Sequence, residues 1–334
     1  SALAQCSLFR GGFELLSAES VITLDSWPEA PSIMSVIQSL IDHSLLRSER
    51  PRPGCRRLTM LRSIAAFASE KLTQSGRFEE TRRRHARHFA ELGSSAYQRS
   101  LYGPEGTQSR RRLHMELDNL VLGTHNACDL GEMDVAMGCC LAASKVYQIL
   151  GPPKDALDLL EKCLQAGEFS SPLLSRAAHY KAYLHWMTGD VPAAIAHTQT
   201  SLQMAIEDKN DLLQIMNFDQ LGQLYRNQGE IELALEAYKK GEALCTHPGL
   251  NRILSTLLMH RSKLHQGRLE IEISRNMIEK ALVIQQSQGD RWNEGIARNL
   301  LGTIYRMRGE HAHSRKNFQM MTSSILASQA LVEE

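Results

Sequence analysis

The sequence predicts a mostly all-α protein, in which a small helical module with one β-hairpin precedes an α-α superhelical array. Two patterns indicate this fold. Helical segments broken at a glycine recur about every 40 residues in the C-terminal part, and short helical segments surround one Pro/Gly-rich hairpin at the front. The composition agrees, because 43% of the 334 residues are apolar and 22% are charged, as in globular rather than disordered chains.

Residues 1–76 contain the elements of the small module. A short apolar run ends at Gly11-Gly12, a second helix resumes at Leu15, and a third follows over 32–45 with its apolar residues on one stripe. The stretch "SLLRSERPRPGCRRLTML" predicts two short strands, and "MLRSIAAFASEKL" predicts an amphipathic helix. Three helices, a hairpin and a helix make a winged helix-turn-helix, whose first helix would begin before Ser1.

The clearest unit of the array is "LGQLYRNQGEIELALEAYKKGEAL", residues 221–244. Gly229 breaks it into two helices, and the small residues Gly222, Ala234 and Gly241 let these helices pack closely. The same layout recurs around four other turn glycines, which are 38, 40, 38 and 42 residues apart in the series Gly151, Gly189, Gly229, Gly267 and Gly309. Five helix pairs are therefore predicted over 133–325, with a tail over 326–334.

The fourth unit, "HRSKLHQGRLEIEISRNMIEKAL", follows the pattern least well. It places His260 where the other units have a small residue. Two extra residues in its turn would restore Ser274 and Ala281 at the small positions of the second helix.

This layout resembles the tetratricopeptide repeat (TPR), in a form longer than the usual ~34 residues. The resemblance implies that the first helix of each pair lines a concave surface. The sequence positions that match this surface are Lys145, Gln148, Arg176, His179, Tyr183, Trp186, Asp219, Gln223, Arg226, Asn227, Arg261, His265, Asn299 and Arg306.

These side chains predict a groove for a protein, a peptide or a small effector. Stacked across repeats, Arg226, Arg261 and Arg306 could clamp a carboxylate or phosphate, since guanidinium pairs with both through two hydrogen bonds. Tyr183 and Trp186 are of the type that anchors partners at interfaces. The alternative is that these faces are polar only because they are exposed to solvent.

The front of the chain resembles a second family. The stretches "SLFRGGFELLSAESV", "LIDHSLLR", "TMLRSIAAFASEKL", "RRRHARHFAEL" and "ELDNLVLGTHNA" are similar, in this order, to the region behind the nucleotide-binding domain of STAND-type signalling ATPases. That family includes AfsR-like and LuxR-like transcription regulators. The resemblance implies the order ATPase, winged helix, helical connector (77–132) and TPR array, with the ATPase domain as an intramolecular partner.

The sequence has no GxxxxGK[ST] phosphate loop, so no catalytic ATPase is expected within it. A fragment or domain of a longer protein is the simplest interpretation. Neither GxSxG nor HExxH occurs, so we expect no enzyme activity and no cofactor.

The winged helix raises the possibility of DNA binding. Its third helix offers Asp42 and His43 but no Lys or Arg, whereas phosphate and base contacts favour cations and amides. The family resemblance implies a packing role on the ATPase instead. The hairpin could still grip a nucleic-acid backbone through its arginines, which are Arg47, Arg50, Arg52, Arg56 and Arg57.

Two further clusters have simpler explanations than a binding site. The stretch "TRRRHARHF" is basic and is interpreted as a solvated helix face or a contact with the ATPase, with phosphate binding as the alternative. The pairs His85/His88 and His311/His313 lack cysteine or acidic partners at ligand spacing, so no metal site is predicted.

Charge and cysteine content indicate two modules of a cytoplasmic protein. The net charge of +1 is uneven, with +6 on residues 1–112 and −5 on the remainder. The seven cysteines form no CxxC and are interpreted as reduced structural thiols. There is no N-terminal targeting signal, and no apolar stretch reaches the ~18 residues that a membrane span needs.

Overall fold

The computed structural model describes residues 2–25, 29–52, 55–102 and 106–333. The chain divides into two compact units, of which unit 1 comprises residues 1–98 and 110–169, and unit 2 comprises residues 99–109 and 170–333. The expected boundaries after residues 76 and 132 both fall inside unit 1. The first predicted helix pair also belongs to unit 1, because its first helix packs on the connector helices.

The front of unit 1 has the predicted order of three helices, a hairpin and a helix. The two strands are antiparallel, with Arg47 opposite Thr59, and an isolated bridge joins Phe13 to Leu58. The elements are α1 (Ala2–Cys6), α2 (Leu15–Val21), α3 (Ile33–Asp42), β1 (Arg47–Arg52), β2 (Cys55–Thr59) and α4 (Arg62–Gln74).

The rest of unit 1 is helical. Its core forms where α5 and α8 pack together and α9 covers both, which buries Phe89, Leu120 and Met137 completely. The segments are α5 (Phe78–Ala90), a 3-10 turn (Glu91–Gly93), α6 (Ser95–Ser100), α7 (Gly106–Met115), α8 (Leu117–Asp129), α9 (Met133–Leu150) and α10 (Pro153–Gln165), and α6 and α7 continue into the part of the chain assigned to unit 2.

Unit 2 is an array of four helix pairs in which equivalent helices begin 40 residues apart. The first helices of the pairs, called A helices here, are α11 (Ser171–Met187), α13 (Asp211–Gln228), α15 (Asn251–Gly267) and α17 (Arg291–Met307). The second, B helices are α12 (Val191–Glu207), α14 (Ile231–Ala243), α16 (Ile271–Ser287) and α18 (His311–Glu333), and a 3-10 turn (Pro248–Leu250) precedes α15. The predicted helical repeats are therefore confirmed.

The fourth repeat keeps the 40-residue period, which corrects its predicted register. Ser262, not His260, is equivalent to Gly222, and the left-handed turn residue is Leu269 (φ 60°) instead of Gly267. Ser274 and Ala281 are buried at the small positions of α16, as the two-residue adjustment predicts.

The segment assigned to a tail, 326–333, continues α18. Its sequence contains neither proline nor glycine to end the helix. In the described part of the chain, no helix is long and apolar enough to cross a membrane.

Candidate functional site

Two rows of side chains run along the A helices of unit 2. The 40-residue period places them at equivalent positions on successive helices, and all eight are half-buried or exposed. We call them the A-helix surface, which consists of Tyr183, Gln223, Lys263 and Thr303 in one row and Trp186, Arg226, Gln266 and Arg306 in the other.

The centre of this surface is polar and carries a net positive charge. Asp219 is held by two hydrogen bonds, since its Oδ1 lies 2.6 Å from Nδ1 of His260 and its Oδ2 accepts from Nε2 of Gln223 at 3.0 Å. Partial burial and repulsion by Arg226 lower the pKa of Lys263, and Asp219 opposes that shift. Lys263 therefore lies near Arg226 and near a carboxylate that already has two partners, so the two cations retain capacity for an external anion.

His260 and Lys263 were not predicted as site residues. They were missed because the register of the fourth repeat was misplaced. The residues 40 positions after Asp219 and Gln223 are Met259 and Lys263, so the repeat period leads to Lys263 and to the neighbour of His260. The period itself was the signal that could have found Lys263.

The aromatic end of the surface lies on α11. The rings of Tyr183 and Trp186 meet edge to face, with their centroids 5.5 Å apart. Both side chains are half-buried, so each presents part of its ring outward. Such amphipathic rings suit a role as anchors for a partner.

Arg176 and His179 do not belong to this surface, which corrects their predicted place. They are 8% and 4% exposed. Nδ1 of His179 lies 2.8 Å from Oδ1 of Asn217, whose amide donates to Ser201 Oγ, also at 2.8 Å. Burial lowers the pKa of Arg176. These groups join α11, α12 and α13 and serve the packing of the array.

Arg261 and His265 are also misplaced in the prediction. Nη1 of Arg261 pairs with Glu242 of α14 at 2.6 Å, so this side chain faces the preceding B helix. His265 pairs with Glu270 in the following turn. The proposed clamp of Arg226, Arg261 and Arg306 is therefore wrong, because a two-residue error in register turns a helix position by about 200°.

The remaining predicted residues of the groove fall in two places. Asn227, Asn299 and Arg306 are exposed on α13 and α17. Lys145 and Gln148 lie on α9 in unit 1, where Nζ of Lys145 donates to Oε1 of Gln148 at 3.1 Å.

The arginines of the hairpin differ in their surroundings. Arg47, Arg50 and Arg56 are exposed, and the side chain of Arg52 lies outside the described residues. Arg57 is 4% exposed, and its Nη1 pairs with Oε1 of Glu116 at 2.7 Å. Arg57 is thus unavailable to nucleic acid, because successive strand residues point to opposite faces.

The basic helix α5 is occupied by internal contacts. Arg82 pairs with Asp129, Arg83 and Arg87 both pair with Glu132, and Arg84 donates to the carbonyl oxygen of Val21. These pairs favour a structural role over phosphate binding.

Two of the histidines considered as metal ligands have other partners. Burial lowers the pKa of His85 to about 3, and its Nε2 lies 3.3 Å from Oδ1 of Asn119. His313 pairs with Glu310. Within residues 2–25, 29–52, 55–102 and 106–333, no three His, Cys, Asp or Glu side chains are grouped to hold a metal ion.

The cysteines whose side chains are described are free thiols. Burial raises the pKa of Cys6 and of Cys245 to about 12. Such thiols stay protonated and unreactive near neutral pH, which agrees with their interpretation as structural residues.

Comparison with known proteins shows the fold. No protein-family profile matches the chain, and no curated protein matches it. A STAND protein with a tetratricopeptide repeat sensor from Pyrococcus horikoshii is 13% identical over 99% of this chain, with a TM-score of 0.58, and this chain spans 50% of that protein. BtubC (BKLC) from P. vanneervenii is 14% identical over 66% of this chain and 92% of its own, with a TM-score of 0.54. The array in unit 2 is thus a TPR-like helical repeat.

Proposed function

We propose that unit 2 is a non-catalytic binding arm that takes a protein or peptide segment along the A-helix surface. The observation that carries this proposal is the constant 40-residue period, which aligns partly exposed polar and aromatic side chains on four successive helices. Stacked repeats present such rows as one extended surface, which suits a chain-like ligand better than a compact one.

The side chains define what that ligand should offer. Arg226, Lys263 and Arg306 favour carboxylates, and the amides of Gln223 and Gln266 can hydrogen-bond a peptide backbone. Tyr183 and Trp186 favour an apolar or aromatic side chain at one end. An extended segment with acidic residues and one bulky residue combines these features.

Selection from a displayed library of random peptides tests the proposal. Peptides enriched on the intact chain should bind at least about tenfold more weakly to the Arg226→Ala/Lys263→Ala variant, since each lost charge-assisted hydrogen bond costs about 1.5–3 kcal/mol. The matched control is Lys239→Ala/Lys280→Ala, which removes two exposed cations from the B helices.

Equal losses in both variants would mean that general charge, not the A-helix surface, binds the peptides. Absence of any peptide enriched on the intact chain would also contradict the proposal. Weaker binding by the A-helix variant supports the proposal only if both variants unfold at the same temperature as the wild type.

We further propose that the chain is the regulatory arm of a larger signalling ATPase, with residues 1–76 as a winged helix that packs on the ATPase domain. The order of helices and hairpin supports this, as does the bridge between Phe13 and Leu58, which adds a third extended segment to the hairpin. The likeness over 99% of this chain to half of a STAND protein agrees with it. Sequencing the gene upstream of the Ser1 codon tests it, because a phosphate loop should be encoded there.

Effector control in such a protein requires two conformations that bind the effector with different affinity. A peptide from the selection, added to the full-length ATPase, should therefore change amide hydrogen-exchange rates outside the A helices as well as within them. Unchanged exchange rates outside the A helices would mean that unit 2 binds the peptide without switching conformation.

Direct DNA binding is a second candidate, favoured by the exposed positions of Arg47, Arg50 and Arg56. Duplex binding at low salt should then weaken steeply as salt rises, and Arg50→Ala/Arg56→Ala should reduce both affinity and salt dependence. No binding at low salt would dismiss this candidate.

A further inference from the structure

We propose that unit 1 contains a second ligand site, a cleft that takes a small organic acid with a carboxylate or phosphate head and an apolar body. The cleft has a volume of about 720 Å³, within the range of small-molecule sites. It opens between the loop over 9–13, the end of β2, the first turn of α4 and one face of α8.

One part of the cleft is apolar. Phe9 and Phe13 stack with their ring centroids 4.1 Å apart, and both line the cleft together with Val121 and Leu122 of α8. Phe9 and Phe13 are only 8% and 1% exposed, so the half-buried Val121 and Leu122 supply most of the apolar surface that the body of a ligand can cover.

The other part attracts an anion. Arg10 and Arg62 line the cleft, both are exposed, and no carboxylate of the described residues lies within ion-pair distance of either. Helix α4 begins at Arg62, and its cap residue Leu61 makes no side-chain hydrogen bond to the first turn. The partial positive charge of a helix N-terminus adds to the attraction of the two arginines for an anion. Asp118 on α8 also lines the cleft, so the charges of Arg10, Arg62 and Asp118 sum to about +1, which favours an anion over a neutral ligand.

The loop that forms the cleft is held in place from behind. Nη2 of Arg57 donates to the carbonyl oxygens of Gly11 (3.2 Å) and Gly12 (2.7 Å), and the amide of Asn119 donates to Gly12 at 3.0 Å. Gly11 and Gly12 have φ of 65° and 84°, which other residues rarely adopt. A preformed wall spares the ligand the entropy cost of ordering it.

Fluorescence titration with anilinonaphthalene sulfonate, an aromatic anion, tests the site on the full chain. The Arg10→Gln/Arg62→Gln variant should bind the dye about tenfold or more weakly. The matched control Arg47→Gln/Arg315→Gln removes two exposed arginines elsewhere and should bind normally. Tyr183→Ala/Trp186→Ala should also bind normally, which separates this site from the A-helix surface.

Competition then identifies the head group. Naphthoate and naphthyl phosphate carry the same apolar body. The compound that displaces the dye at the lower concentration identifies whether the cleft prefers a carboxylate or a phosphate. Naphthol, the neutral analogue, should displace it at least about tenfold less well. The proposal is overturned if naphthol competes equally, if the two arginine variants behave alike, or if the dye shows no saturable binding.

Discussion

Arg57 illustrates how one residue of a basic run acquires a structural role. Its neighbour Arg56 is exposed, whereas Arg57 points inward to Glu116, which is 1% exposed. Removing one member of a buried ion pair leaves the other charged and unsolvated. The pair also holds the Gly11-Gly12 turn, so its loss affects more than two side chains.

We expect Arg57→Ala to lower the free energy of unfolding by about 3–5 kcal/mol, measured by urea denaturation. The double variant Arg57→Met/Glu116→Leu should lose less than the single one, because it leaves no unpaired charge. A double variant that loses the sum of the two single effects would show that the pair is not coupled.

His85 should make stability depend on pH. Burial lowers its pKa from the ordinary 6.5 to about 3, so the unfolded chain binds a proton that the folded protein excludes over that interval. The free energy of unfolding should therefore fall by about 1 kcal/mol per pH unit as pH drops below its ordinary pKa.

Urea denaturation from about pH 7 to about pH 4 measures this slope. Comparison with His85→Phe isolates the contribution, since Phe9 and Phe89 already surround the ring and phenylalanine does not titrate. Identical slopes in both proteins would assign the pH dependence to other groups.

Within each helix pair of unit 2, one A-helix residue and one B-helix residue 16 positions later fit each other in size. Gly222 faces Tyr238, and a Cβ added at Gly222 would lie 2.4 Å from that buried ring. The pairs are Gly222–Tyr238 and Gly302–Phe318, with Ala182–Thr198 and Ser262–Ile278 at the equivalent positions. The smallest residues thus accompany the largest rings.

Gly222→Ala should therefore destabilise unit 2 by about 1–3 kcal/mol in thermal or urea unfolding. The same change in a Tyr238→Thr background, which reproduces the Ala182–Thr198 pair, should be neutral or stabilising. Gly267→Ala, at the end of α15, serves as a control because nothing lies within 4 Å of its added Cβ. Equal costs of Gly222→Ala in both backgrounds would refute the size rule.

The turns between A and B helices have a left-handed residue at equivalent places. Three of the four turns have glycine there (Gly189, Gly229 and Gly309). The turn between α15 and α16 has Leu269, with φ of 60° and 74% exposure. A side chain with a Cβ costs about 1–2 kcal/mol in this conformation.

Leu269→Gly should accordingly raise the free energy of unfolding by about 0.5–1 kcal/mol, after subtraction of the extra chain entropy of glycine. The reverse change, Gly229→Leu, should lower it by a similar amount. If Leu269→Gly is destabilising, the leucine makes contacts that outweigh its backbone strain.

At the scale of the whole array, each repeat stabilises its neighbours, so a defect should act according to its position. Within unit 2, the last pair, α17 and α18, neighbours only the pair α15 and α16, on which it packs through α16. A Cβ added at Gly302 would lie 2.7 Å from the ring of Phe318. Gly302→Ala should thus open the end of the array first.

Hydrogen exchange with mass spectrometry measures this effect. In Gly302→Ala, amides of α17 and α18 should exchange about tenfold faster or more, while those of α11 and α12 keep their rates. Gly222→Ala should instead spread its effect to the helices on both sides. Uniform acceleration throughout unit 2 in Gly302→Ala would mean that the array unfolds as one cooperative unit.

The sequence by itself determined the elements of this protein. Glycines at turn positions and apolar residues at helical spacing predicted the hairpin and the helix pairs of unit 2, because these signals arise from local backbone sterics and from one-sided burial. These signals failed in the fourth repeat. There Leu269 adopts the left-handed conformation that usually favours glycine, so the turn was predicted at Gly267, two residues too early.

Only the tertiary structure decided which polar residues remain available for binding. Arg57, Arg176 and Arg261 look like surface cations in the sequence, yet each has a place in the interior or in an ion pair. The first helix pair joined unit 1, and the cleft at Gly11-Gly12 arose from segments more than 100 residues apart. Burial and pairing depend on contacts between distant segments, and local sequence patterns carry no record of those contacts.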